Sequence, residues 1–172
     1  MLNNKYYHGS KKYFESFESN KSYGSKRRFV IGAFWFSNSL NVAQSYGNYV
    51  YEVKLNIENP YIVDANFENY SEIYLSELPT EIGIQIDLID NRNPGDTINE
   101  INYRKQTDPE HFIKFDTKDL ALAAMRAGYD SLIVKNVIDA GNKSALKIFA
   151  ITLAVFNNSQ IKIEKINTKE YA

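Results

Sequence analysis

The sequence predicts an α+β fold resting mainly on antiparallel sheet. Three observations lead there. Alternating or aromatic-rich runs dominate both ends of the chain, and short stretches with helical spacing sit between them. The chain has 172 residues, 44% hydrophobic and 24% charged, which is enough for one ordinary domain with its own core.

Taken in order, residues 5–8 form a short aromatic strand, and residues 29–37 (FVIGAFWFS) are apolar enough for a buried one. In residues 40–46 (LNVAQSY), Leu40, Ala43 and Tyr46 fall at helical spacing behind Ser37, Asn38 and Ser39 as caps. Residues 49–57 (YVYEVKLNI) alternate cleanly, so one face of a strand is buried. Asn59-Pro60 ends it, and residues 61–64 continue as a shorter strand. The stretch from 65 to 115 is less regular. It predicts helical pieces near 70–78 and 80–90 and a loop around Asn93-Pro94-Gly95-Asp96, and reads as a variable, lid-like insertion within a single domain spanning 1–172. Residues 117–127 carry an apolar stripe, Leu120, Ala123, Ala124 and Ala127, with Thr117 as cap and Gly128 as stop. A strand at 129–137, a turn at Asp139-Ala140-Gly141-Asn142, a long apolar strand at 146–156 and a last strand at 161–166 complete the chain.

Composition narrows the chemistry. There is no cysteine, which removes disulfides, thiolate zinc sites and cysteine nucleophiles. Only His8 and His111 could supply imidazole, against 13 Tyr, 10 Phe and one Trp. Such a chain is expected to work by stacking and polar contacts, without a metal. The net charge of −1 makes no whole-chain case for nucleic acid. Local charge is uneven. Residues 1–28 carry seven bases, including Lys21, Lys26, Arg27 and Arg28, against Glu15 and Glu18, whereas residues 66–101 carry eight acids against Arg92. The two regions read either as solvated faces or as a positive rim for an anionic ligand and an acidic surface for a partner. The start MLNNKYYHGS lacks the apolar core of a signal peptide, and no stretch approaches the ~20 apolar residues of a membrane span. A soluble, cytoplasmic protein is expected, with no membrane partner.

Three segments carry the chemistry. In Tyr7-His8-Gly9-Ser10 the glycine lets a ligand approach the backbone, with the imidazole beside the opening; a surface turn is the plainer reading. In Gly32–Ser37 with Ala43 and Tyr46-Gly47, a strand, a polar turn and a helix bring Trp35 and Tyr46 within reach of one flat ring. A cationic ring there would gain roughly 0.5–2 kcal/mol from cation–π attraction. Alternation puts Phe34 and Phe36 on one face and Trp35 on the other, so only one set is simple core. The third segment, residues 154–162, is a strand, an Asn-rich turn and another strand.

In this order and spacing, YHGS at 7–10, GAFWFS with Ala43 and Tyr46-Gly47, VYEVKLNIENPYIVDA at 50–65, AGYDSLIVKNVID at 127–139 and VFNNSQIKI at 155–163 resemble the ADP-ribosyltransferase superfamily. The likeness is to the diphtheria-toxin and poly(ADP-ribose) polymerase branch, and most of all to the small transferase domains of phage and mobile-element polyvalent proteins. The resemblance implies a split, mainly antiparallel core that cleaves NAD and passes ADP-ribose to an acceptor. It assigns His8 to a ribose hydroxyl of NAD, the Gly9 backbone to the nicotinamide amide, and Ser10 and Ser37 to the dinucleotide site. Trp35 stands where the family has its first tyrosine, with Phe34 as the alternative register, and Tyr46 stacks on nicotinamide. Thr152 stands where the family carries the glutamate that contacts the ribose and supports the oxocarbenium-like transition state. Asp139 is the first substitute carboxylate and Asp130 the second, although Asp139 also suits a turn. His111 receives no role. The resulting expectation is a mono-ADP-ribosyltransferase that uses NAD as substrate and acts on a host protein as a phage or mobile-element effector. The alternative is a catalytically inactive NAD- or ADP-ribose-binding module.

Overall fold

Strands β1 (Tyr6–Ser10), β2 (Phe34–Ser37) and β3 (Tyr49–Leu55) meet at the middle of a seven-stranded sheet, with helix α1 (Leu40–Tyr46) between β2 and β3 in the chain. The computed structural model describes residues 5–18, 32–89, 96–107, 113–139, 141 and 148–169. Next come β4 (Pro60–Asp64), β5 (Ile73–Leu75), α2 (Thr80–Ile89), α3 (Asp96–Thr107), β6 (Ile113–Phe115) and α4 (Thr117–Arg126). The chain closes with β7 (Ser131–Asp139), β8 (Ile148–Val155), a 3₁₀ turn at Asn158–Gln160 and β9 (Ile161–Thr168).

The large sheet runs β4-β7-β8-β2-β1-β3-β9. Among the described strands, β4 and β7 pair parallel and the other sheet neighbours antiparallel, and β5 and β6 form a separate antiparallel pair. The β1–β2 seam holds a single register pair, Tyr7 opposite Ser37, whereas β1–β3 and β2–β8 are zipped along their length. The sheet is therefore two blocks joined at one narrow seam, the α+β, split and mainly antiparallel core the sequence predicts.

Each face of the sheet has its own core. On one face, Leu132, Val134, Val137 and Ala154 pack under Ile82 and Ile86 of α2 and Leu120, Ala121, Ala123 and Ala124 of α4. The small residues of α4 let its backbone lie close to the strands, and its Asp116 cap accepts from the Lys118 N–H. Ile73, Ile101 and Phe115, from the stretch read as irregular, join the same core. On the other face, Tyr6, Phe17, Phe34, Phe36, Tyr51, Val53 and Leu153 form an aromatic-rich core. Truncating a fully buried residue such as Leu132 to alanine would cost about 2–5 kcal/mol.

Local reading fails where partners are distant. The helical piece expected near 70–78 is instead strand β5, because Ile73 and Leu75 pair with Phe115 and Ile113 about forty residues on. Helix α3 escapes sequence patterning because it is strongly polar. Ile101 anchors it, and Asp87 Oδ1 accepts the Thr97 N–H at 2.9 Å. Asp116, not Thr117, caps α4; Thr117 is buried, and its hydroxyl donates to the Tyr70 carbonyl. The expected strand start at 29–31, the loop residues 93–95 and the strand start at 146–147 lie outside the described residues, as do His111, Lys21, Lys26, Arg27 and Arg28. Among the described residues no helix is long and apolar enough to cross a membrane.

Candidate active site

Register decides which side chains share a face. Residues opposite one another across a ladder point the same way, and neighbours along a strand point oppositely. Thr152 lies opposite Ser37 and Ser37 opposite Tyr7, so these three share a face with Gly9 and Trp35. His8, Ser10, Phe34 and Phe36 turn to the other face, beside Tyr51. The predicted site residues thus fall into two groups divided by the sheet and meeting at the seam.

The first group gathers under α1. Ser39 Oγ accepts the Val42 N–H at 3.4 Å, and Val42 and Ala43 are buried. A Cβ at Gly9 would collide with the Ala43 carbonyl and crowd the Tyr46 Cβ. Glycine at position 9 is therefore required by close helix–strand packing. On the side a Cβ would occupy, it is α1 that comes close to Gly9. The same packing holds Tyr46, 39% exposed, at the end of α1 over the sheet.

A β-bulge supplies the carboxylate. The β7–β8 register slips between Val134, opposite Thr152, and Val137, opposite Ala150, so one extra residue is inserted in β7 and Asn136 adopts a left-handed φ of 50°. That residue reverses the alternation beyond it and turns Asp139 onto the face of Thr152. Asp139 is 5% exposed and Thr152 8%. Thr152 Oγ1 donates to Asp139 Oδ2 at 2.9 Å, and the Gly141 N–H donates to Oδ1 at 2.9 Å. Gly141 has φ 59°, and a Cβ there would strike Ser45 Oγ of α1, so the turn after β7 leans on the helix that carries Tyr46. Burial, then the Asp139 charge and then Tyr70 push the Tyr46 phenol well above the usual tyrosine range, and it stays protonated. Ser37 is buried, and its Oγ accepts the Ser39 N–H at 3.1 Å. Trp35 is half-buried against the α2–α4 core.

The second group centres on His8. Its Nδ1 lies 2.8 Å from the Trp35 carbonyl oxygen, across the seam. A carbonyl can only accept, so Nδ1 carries the hydrogen and Nε2 is left as an acceptor. Burial holds the imidazole below the usual histidine range and so keeps the ring neutral near pH 7; the carbonyl contact opposes this in part. The rings of Phe17, Phe36, Phe14 and Tyr51 surround it at centroid distances of 5.2–6.2 Å. Phe34 is buried in this aromatic core. Ser10 Oγ donates to the Lys12 carbonyl at 2.8 Å and accepts the Lys12 N–H at 3.1 Å, so its hydroxyl builds a local turn.

Asp130 sits at the opposite end of β7 from Asp139. Its carboxylate accepts from the Glu58 and Asn59 N–H groups and from Ser131 Oγ, tying the turn before β4 to β7. A cavity of about 580 Å³ lies elsewhere, between residues 64–68 and 74–77, and is lined by none of the predicted site residues. Acids of the 66–101 stretch have partners within the chain: Glu72 with Lys114, Glu77 with Lys105, Glu100 with Arg104, and Glu81 with the Tyr129 hydroxyl. The sequence did not single out Phe14, Phe17 and Tyr51. The Phe14/Phe17 spacing is the one local trace, and Tyr51 falls within the alternating 49–57 strand.

The described residues thus hold one buried carboxylate with a protonated phenol beside it and, on the other face, a neutral imidazole whose Nε2 can accept. The family described as ADP-Ribosyltransferase in polyvalent proteins matches residues 3–170. No curated protein and no solved structure matches the chain. With the match spanning nearly its whole length and a split antiparallel core to accompany it, the chain belongs to the ADP-ribosyltransferases of polyvalent proteins.

Proposed function

We propose that this chain is a mono-ADP-ribosyltransferase that cleaves NAD and passes ADP-ribose to a host protein, as a cytoplasmic effector of a phage or mobile element. It works as one domain over 1–172, with the acidic stretch at about 66–115 facing the acceptor. One observation carries the reading: Asp139, held by Thr152 and the Gly141 N–H beside Tyr46, puts a negative charge on the face where the family glutamate would stand.

NAD supplies a glycosidic bond whose electron pair leaves with nicotinamide, while the acceptor's nucleophile bonds to the ribose carbon and its proton passes to solvent. The chain's residues serve that exchange in separate ways. Asp139 stabilises positive charge developing at the ribose; one group placed in this way is typically worth 10²–10³ in turnover. Thr152 orients the carboxylate. Tyr46 and Trp35 flank the nicotinamide ring, and Tyr46 stays a neutral phenol. The Gly9 backbone engages the nicotinamide amide, and His8 Nε2 accepts from a ribose hydroxyl. Ser10 and Ser37 border the same site, and Phe34, the alternative to Trp35, lies in the aromatic core on the other face.

Labelled NAD incubated with host lysate tests this, with wild type beside His8→Ala, Tyr46→Ala and Asp139→Asn. A labelled protein band that all three variants lose supports the enzyme. NAD binding without label transfer or nicotinamide release would leave a catalytically inactive NAD-binding module, the second reading, which Thr152 in place of glutamate favours.

A further inference from the structure

We infer that Tyr51 is a positioning residue for His8: its hydroxyl clamps residues 13–18 over the imidazole and so determines which ring nitrogen meets a ligand. Tyr51 is 0% exposed and lies directly opposite His8 in the β1–β3 register. Its hydroxyl accepts the Phe14 N–H at 2.7 Å and donates to the Phe14 carbonyl at 3.1 Å. One side chain thus engages both backbone groups of a residue 37 positions away. The Phe14 ring stacks flat on the Tyr51 ring, 4.0 Å between centroids and 6° between planes. Phe17, buried, continues the cover: it meets Phe14 at 4.8 Å, His8 at 5.2 Å and Phe36 at 5.4 Å.

The imidazole is therefore walled by four rings, with its Nδ1 on the Trp35 carbonyl. Aromatic walls offer no acceptor for a rotated N–H, while His8, only half-buried, keeps an opening through which Nε2 can meet a ligand. With the cover closed, only the Nδ1–H form with the ring in its present rotamer is satisfied. If the cover loosens, water solvates either nitrogen and the ring samples both tautomers. A ligand needing Nε2 as acceptor then meets it for only part of the time, and apparent affinity falls by that fraction.

The part concerning NAD rests on the proposed function; the tautomer does not. Long-range ¹H–¹⁵N spectra of the ¹⁵N-labelled full chain read the tautomer directly. The chain has two histidines, so the spectrum of His111→Gln assigns His8. Wild type should show a pyrrole-type Nδ1 and a pyridine-type Nε2. Tyr51→Phe, which keeps the ring and removes the clamp, should move both shifts toward an averaged value. It should also weaken NAD binding by roughly three- to tenfold, as the Nδ1–H form falls to about a third to a tenth of the population. Phe14→Leu, which removes the stacked ring but keeps Tyr51, should move the shifts the same way by less and serves if Tyr51→Phe does not fold. Unchanged His8 shifts in a folded Tyr51→Phe protein would overturn the inference and leave Tyr51 a core residue. Shifted tautomers in a protein whose wild type binds no NAD would uphold the positioning role and remove the NAD reading instead.

Discussion

Thr152 and Asp139, thirteen residues apart, share a hydrogen bond of 2.9 Å from the threonine hydroxyl to the carboxylate. In the proposed function, Thr152 holds in place the carboxylate that would supply the charge its own side chain lacks. With a second hydrogen bond from the Gly141 N–H, the buried carboxylate is oriented on the Tyr46 side of the sheet. A charge-assisted hydrogen bond to a buried group is about twice as strong as a neutral one, so this pair resists disorder.

Asp139→Asn keeps the shape and removes the charge. Turnover should fall by roughly 10²–10³ while NAD affinity changes little, because the charge acts on a centre that becomes positive only as the bond breaks. Single-turnover release of nicotinamide beside equilibrium NAD binding separates the two quantities. A parallel loss of both would mean that Asp139 is structural.

Moving the charge is a stricter test. Thr152→Glu in the wild-type background would set two carboxylates close together in a buried place, where one must take up a proton, and should not raise activity. Combined with Asp139→Asn, the same change restores a single charge on the same face. The double variant should turn over faster than Asp139→Asn alone; if it is no faster, the two positions do not serve one role.

Elements with their own local signal were legible in the sequence. Helix α1 coincides with the spacing of Leu40, Ala43 and Tyr46, and strand β3 follows the alternation from Tyr49 to Leu55. Strand β5 and helix α3 were not, because β5 exists through its pairing with β6 and α3 hangs on a few buried contacts. The site divides in the same way. Asp139 and Thr152 could be nominated singly, but their meeting depends on a bulge at Asn136, which a single sequence does not announce. The cage around His8 depends on Phe14 folding back onto Tyr51 from 37 residues away.

Gly9→Ala should damage the fold before it damages chemistry. The added methyl meets the Ala43 carbonyl, a backbone atom that cannot swing aside, so α1 must lift from β1. Overpacking of this kind costs about 1–3 kcal/mol. For a chain of this size each kcal/mol lowers the melting temperature by roughly 2–4 °C. Thermal melting followed by circular dichroism gives the shift. An unchanged melting temperature would show that α1 is not pressed against Gly9 in solution.

His8 should leave a mark on the pH dependence of stability. Burial lowers its folded-state value below the ordinary 6.5, so the folded chain holds a neutral ring at a pH where the unfolded chain already takes up a proton. The contribution is fully present above about pH 6.5 and is lost as pH falls through that value toward the lower folded-state one. Wild type should therefore lose stability as pH falls below about 6.5 more steeply than His8→Gln, which has nothing to protonate there. Urea unfolding at a series of pH values measures both slopes. The carboxylates are common to the two proteins, so their titration cancels in the difference. Identical slopes would show that the ring is open to solvent, and the aromatic cover over His8 would then not be closed in the free protein.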